Sequence, residues 1–139
     1  MKSQIHDKYG KKLLREIVGF RFIDKGRLVE VDYGGGITSR IDGVIDDCAI
    51  EIESRVAKQV RGALLDLLEH PYPKKLLILI PKHMNNPEAT AKHCEYILNK
   101  YKRKDQIVKV VLLKGTGDNP KEEEDKELIK KALVDLDIL

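Results

Sequence analysis

The stretch from residue 40 to residue 58, RIDGVIDDCAIEIESRVAK, constrains the fold more than any other part of the chain. Its spacing predicts a tight β-hairpin. ITSRIDGVI runs up, Asp46 and Asp47 form a two-residue turn, and CAIEIES runs down. In that register Ile45 faces Cys48, Val44 faces Ala49, and Asp42 lies opposite Glu51. Residues two apart on a strand share a face, so Glu53 joins the two acids. Ile41, Ile50 and Ile52 are expected on the other face, in a core. Like charges placed opposite each other in a sheet are unfavourable. A fold that gathers them usually adds a cation, and an oxygen-only cluster suits Mg²⁺ or Mn²⁺.

The rest of the chain reads as helices and strands that surround this hairpin. Leu13, Leu14, Ile17 and Val18 recur at helical spacing and predict a helix over 7–19. A strand is expected over 27–33, then a Gly34-Gly35-Gly36 turn, then one continuous strand over 37–45. Together with 48–53 they make a three-stranded meander. That register sets Glu30 opposite Arg40 and Leu28 opposite Asp42, so Glu30, Arg40, Asp42, Glu51 and Glu53 share a face. A second helix over 55–69 carries an apolar stripe from Val56 to Leu68. The unbroken apolar run 76–80 suits a central strand covered on both faces. Asn86 and Pro87 read as a helix cap and first residue. Residues 107–113 form another buried strand, and Asn119-Pro120 begins the last helix. The expected class is α/β, a mixed sheet flanked by helices. It forms a single domain over 1–139, with its core over about 7–113 and an acidic C-terminal helix over about 120–137.

Charge is uneven along the chain. The net charge is +3, but residues 118–139 hold eight acids against four lysines. Setting that tail aside leaves 22 basic and 15 acidic side chains, a net of +7. A body this basic fits a polyanionic partner such as nucleic acid, or a plain solvated Lys/Glu surface. The N-terminus lacks the apolar run of a signal peptide, and no stretch is long enough to span a membrane, so the cytoplasm is expected. Cys48 and Cys94 form no CxxC pair and read as buried thiols. The spacing of His83, His93 and Cys94 matches no common zinc site.

The order α-β-β-β-α-β, with Asp42 on the second strand and Glu51-Ile52-Glu53 on the third, resembles the PD-(D/E)xK nuclease superfamily, the restriction-endonuclease-like fold. The resemblance covers about residues 7–80. Its first element is RIDG and its second is EIE, a Glu-x-Glu variant with Glu53 where the family usually has lysine. It implies a Mg²⁺- or Mn²⁺-dependent endonuclease that hydrolyses phosphodiester bonds, with DNA as substrate. Asp42 and Glu51 would hold the ion with the backbone carbonyl of Ile52, and Glu16 is the glutamate available from the first helix. Glu53 would bind a second ion or deprotonate the attacking water, and Lys58 would stand in for the missing lysine. Arg40, Arg55, Lys58 and Arg61 are the expected nucleic-acid contacts.

Each assignment has a plainer alternative. Asp42 and Glu51 can be surface acids, Glu53 a partner for Arg40, Lys58 a solvated lysine, and Glu16 an ion pair with Lys12. The chain is close to the superfamily's minimal core, and base-specific readout needs spare elements that reach groove edges. The expectation is therefore a structure-selective or junction-type nuclease, acting as a homodimer because one chain offers one site. The competing expectation is an inactive nuclease fold that binds nucleic acid or a protein.

Overall fold

The computed structural model describes residues 2–55 and 57–139. Helix α1 spans Lys2–Val18 and is followed by the two-residue strand β1, Phe22–Ile23. Strands β2 (Glu30–Gly34) and β3 (Ile37–Arg40) form a hairpin, and β4 (Gly43–Ile45) and β5 (Cys48–Glu53) form a second. Then come α2 (Ala57–Glu69), β6 (Lys74–Leu79), α3 (Pro87–Tyr101), β7 (Ile107–Leu112) and α4 (Glu122–Asp135). The main sheet is mixed, in the order β1-β4-β5-β6-β7. β1, β4 and β5 pair antiparallel, while β5, β6 and β7 pair parallel.

Alternation along β5 divides the core. Cys48, Ile50 and Ile52 pack with Leu13 and Leu14 of α1 and with Ile129 and Leu133 of α4. Ala49 packs on the opposite face, with Val60 and Leu67 of α2 and Leu98 of α3. Helices thus cover both faces, as the run 76–80 requires, since Leu76 to Ile80 are all fully buried. The acidic C-terminal helix belongs to this core, and β7 is an edge strand. Val56, expected in the α2 stripe, lies outside the described residues. No described helix is long and apolar enough to cross a membrane.

The 48–45 turn follows the expected register, with Ile45 opposite Cys48 and Val44 opposite Ala49. Asp46 takes the left-handed conformation such a turn requires, at φ 52°. Glu30 opposite Arg40 also stands. The continuous meander does not. β2 and β3 form a separate two-stranded sheet, residues 27–29 form a 3₁₀ turn, and the third antiparallel strand is β1. The predicted 37–45 strand breaks at Ile41 and Asp42. Ile41 donates its N–H to the Val29 carbonyl and is buried on the α2 face, not beside Ile50 and Ile52. Glu30 and Leu28 consequently stay away from the acids.

Gly43, just after the break, packs under β1. A Cβ there would lie 2.3 Å from the Phe22 ring and 3.0 Å from the Ile23 carbonyl oxygen. Gly43→Ala is expected to cost about 2 kcal/mol through overpacking, read as a lower urea midpoint with an unchanged slope. A midpoint equal to wild type would mean that Phe22 swings aside freely.

Candidate active site: an acid cleft at the end of β5

The break in the strand builds the site. The ladder between β4 and β5 ends at Gly43 and Ile50. Beyond it, side chains take over the backbone groups. Asp42 donates its N–H to Glu51 Oε1 at 2.8 Å, and Ile52 donates its N–H to Asp42 Oδ2 at 2.7 Å. Two carboxylates therefore replace two ladder carbonyls, which is why Asp42 and Glu51 stay opposite each other after pairing has stopped. Glu53 donates nothing to this edge. Its carbonyl accepts from Ile80 N–H on the β6 side. Alternation then turns the Ile52 carbonyl toward the β4 side, into the gap where the ladder has ended.

These groups line a cleft of about 450 Å³ with Asp7, Arg40, Arg55 and Asp66. Glu51 is 7 % exposed and Glu53 is 5 % exposed. Burial and then the adjoining Asp42 carboxyl push Glu51 far above the usual carboxylate range. Glu51 consequently keeps its proton at neutral pH. Burial, then Asp42 and Glu53, pushes Asp7 up to about 6. Glu53 is raised by burial against the opposing pull of Arg55.

Arg55, not Arg40, is the partner of Glu53. Its guanidinium pairs with both carboxylate oxygens, Nη2 to Oε2 at 3.2 Å. Arg40 still lines the cleft, because its hairpin is fastened to α2. Asp66 accepts from Ser39 Oγ at 2.9 Å and from the Tyr33 hydroxyl.

Three expected site residues are elsewhere. Glu16 is exposed on α1 and pairs with Lys12 and Lys126. The acid that α1 delivers is Asp7. Nine residues along a helix amount to about 900°, a half-turn offset, and about 13.5 Å, so Asp7 and Glu16 cannot reach one site. Gly10 was the signal for the correct face. A Cβ there would meet Ile52 at 2.9 Å, so α1 closes onto β5 at Gly10, three residues from Asp7. Lys58 is exposed and lies outside the cleft, which α2 lines with Gln59, Gly62, Ala63 and Asp66. Arg61 turns to the other flank of α2, beside Leu65 and Tyr101.

Among the described residues no three His, Cys, Asp or Glu side chains stand in a metal-ligating arrangement. The donors nevertheless fit a hard cation. Two facing carboxyls, with a strand-end carbonyl turned into the same gap, are oxygen ligands, and a divalent ion can replace the proton that Glu51 holds. No protein-family model matches the chain, and neither does any curated protein or solved structure.

Proposed function

We propose that the chain is a metal-dependent nuclease that hydrolyses DNA phosphodiester bonds, structure-selective or junction-type, and that it acts as a homodimer. The observation that carries this reading is the facing Asp42 and Glu51 carboxyls, each held by a backbone N–H at the open end of the antiparallel ladder, in a cleft rimmed by two arginines. Asp42, Glu51 and the Ile52 carbonyl would hold Mg²⁺ or Mn²⁺. When bound, the ion supplies neutralisation of phosphate charge and a lower pKa for water. Asp7, pushed up to about 6, is suited to accept the proton of the attacking water near neutral pH.

Arg55 takes the place of the family's lysine. Glu53 stands at that motif position and holds the Arg55 guanidinium at the cleft, where it can meet developing charge on a phosphate. Arg55→Gln is expected to lower cleavage about 10²-fold, the scale of losing one charge-stabilising donor, with Mn²⁺ affinity retained. Unchanged turnover would return Arg55 to the role of a buried acid's counterion.

The deciding experiment is Mn²⁺ binding together with cleavage of a panel of duplex, branched and single-stranded DNA and RNA. A second reading has its own support. The Glu53–Arg55 ion pair and the raised, protonated Glu51 remove part of the cleft's negative charge without an ion. A chain that binds DNA but neither takes up Mn²⁺ nor cuts any substrate would be a non-catalytic binding protein of this fold.

A further inference from the structure

Among the described residues one buried side-chain polar atom finishes without a hydrogen-bond partner, the hydroxyl oxygen of Ser54. Leaving such a group unmade costs about 1–3 kcal/mol, and natural interiors hold few. Ser54 is 1 % exposed and lines the acid cleft. It follows Glu53, the last residue of β5, and precedes α2, which begins at Ala57 and runs for 13 residues. The open N–H groups at the start of a helix carry partial positive charge. Arg55 and Gln59, which flank the start of α2 in the sequence, line the same cleft. One turn further on, Gly62 keeps the wall open, since a Cβ built there meets nothing within 4 Å.

We propose that Ser54, Arg55, Gln59 and the first turn of α2 form a phosphate subsite that fills only after a cation has bound to Asp42 and Glu51. The donor set is what a phosphoryl group needs: a hydroxyl, an amide, a guanidinium and helix N–H groups for several acceptor oxygens. The acids explain the order of binding. Asp7, Asp42, Glu51, Glu53 and Asp66 line the same cleft against Arg40 and Arg55. That excess of carboxylate repels a phosphate until a divalent ion offsets it. Linkage makes the effect reciprocal, so phosphate strengthens cation binding by the same factor. The subsite rests on the cation reading of Asp42 and Glu51, and the test separates the two.

The Mn²⁺ dissociation constant is measured alone and with saturating inorganic phosphate, thymidine 5′-monophosphate or the dinucleoside monophosphate TpT. In the wild type, phosphate is expected to tighten Mn²⁺ binding about tenfold, the worth of one hydrogen bond to a charged group. Ser54→Ala should cut that enhancement to about twofold, at an unchanged Mn²⁺ affinity and a melting temperature equal to or above wild type. Enhancement by TpT assigns the subsite to an internal phosphodiester, and enhancement by phosphate and the monophosphate alone assigns it to a strand end. Mn²⁺ binding that phosphate leaves unchanged, or a full enhancement in Ser54→Ala, overturns the subsite and spares the cation reading. A lower melting temperature in Ser54→Ala also overturns it, since the hydroxyl would then have a structural partner. No Mn²⁺ binding in the wild type overturns both.

Discussion

Asp42→Asn should leave the protein folded, raise its metal-free melting temperature above neutral pH, and lower cation-dependent cleavage about 10³-fold. The cleavage loss corresponds to roughly 4 kcal/mol of transition-state stabilisation, the scale at which a held metal ion acts. The stability gain follows from the local bonding. Asp42 Oδ2 accepts from Ile52 N–H, and an asparagine oxygen can keep that bond. The new amide N–H group donates to Glu51, so one charge of the buried pair disappears without a cavity. The pH dependence has a definite sign. Glu51 and Asp7 are both raised above their ordinary values, Asp7 to about 6. Groups raised in this way stabilise the fold fully below the ordinary carboxylate range, and that contribution is lost as pH climbs through the raised values. Metal-free wild type should thus lose stability from about pH 5 upward through both groups, with the Asp7 contribution spent near pH 6 and the Glu51 contribution continuing to fall into the alkaline range. In Asp42→Asn the decline should be shallower, because burial persists but the neighbouring charge is gone. Melting curves in chelator between pH 5 and 9 give the profile, and the DNA panel gives the rate. Cleavage at the wild-type rate would show that Asp42 holds no ion.

The Asp42–Glu51 pair was legible because two simple rules meet there. A strand has period two, and a two-residue turn fixes register, so the opposition follows from counting. The Glu30–Arg40 pair and the Asn86 cap, which accepts from Ala89 N–H at 3.1 Å, were readable for similar local reasons. The break before Gly43 was not. Ile37 to Ile45 has the composition of one strand, and only the tertiary structure shows carboxylates taking the N–H groups of Asp42 and Ile52. Strand β1 is two residues long and carries no periodicity to detect. The cationic residue near Glu53 depended on where α2 begins. A start one or two residues earlier would rotate Lys58 by about 100–200° and bring a different side chain inward. Lys75 stands beside an apolar run with no local pattern that marks it as buried, yet it is fully buried and donates to the His70 carbonyl at the end of α2. Burial lowers its pKa to about 8.

Asp125→Ala is expected to be strongly destabilising, at about 3–5 kcal/mol. Asp125 is 0 % exposed and sits in the first turn of α4. It accepts from the Tyr9 hydroxyl at 2.5 Å, from Lys114 N–H at 2.7 Å and from Gly115 N–H at 3.0 Å. The Tyr9 oxygen in turn accepts from Lys121 N–H at 3.0 Å. Removing the carboxylate strands three donors in a dry interior, and each unmade bond costs about 1–3 kcal/mol. Partial relaxation and water entry keep the total below the sum. Tyr9→Phe removes the hydroxyl and strands fewer groups, so it should cost about 1–2 kcal/mol. The consequence reaches the cleft through α1. Tyr9 is two residues from Asp7, and the Asp125 clamp, beside the Gly117 N–H to His6 Nδ1 bond, ties this end of α1 to α4 and to the loop after β7. A loosened α1 carries Asp7 away from Asp42 and Glu53 while the Asp42–Glu51 pair, held by its own backbone bonds, remains. Tyr9→Phe should therefore reduce cleavage more than it reduces Mn²⁺ affinity. Urea denaturation measures the first effect, and paired cleavage and Mn²⁺ titrations measure the second. A denaturation midpoint for Asp125→Ala within experimental error of wild type would refute the clamp, and equal losses of rate and Mn²⁺ affinity in Tyr9→Phe would place Asp7 among the ligands instead of beside them.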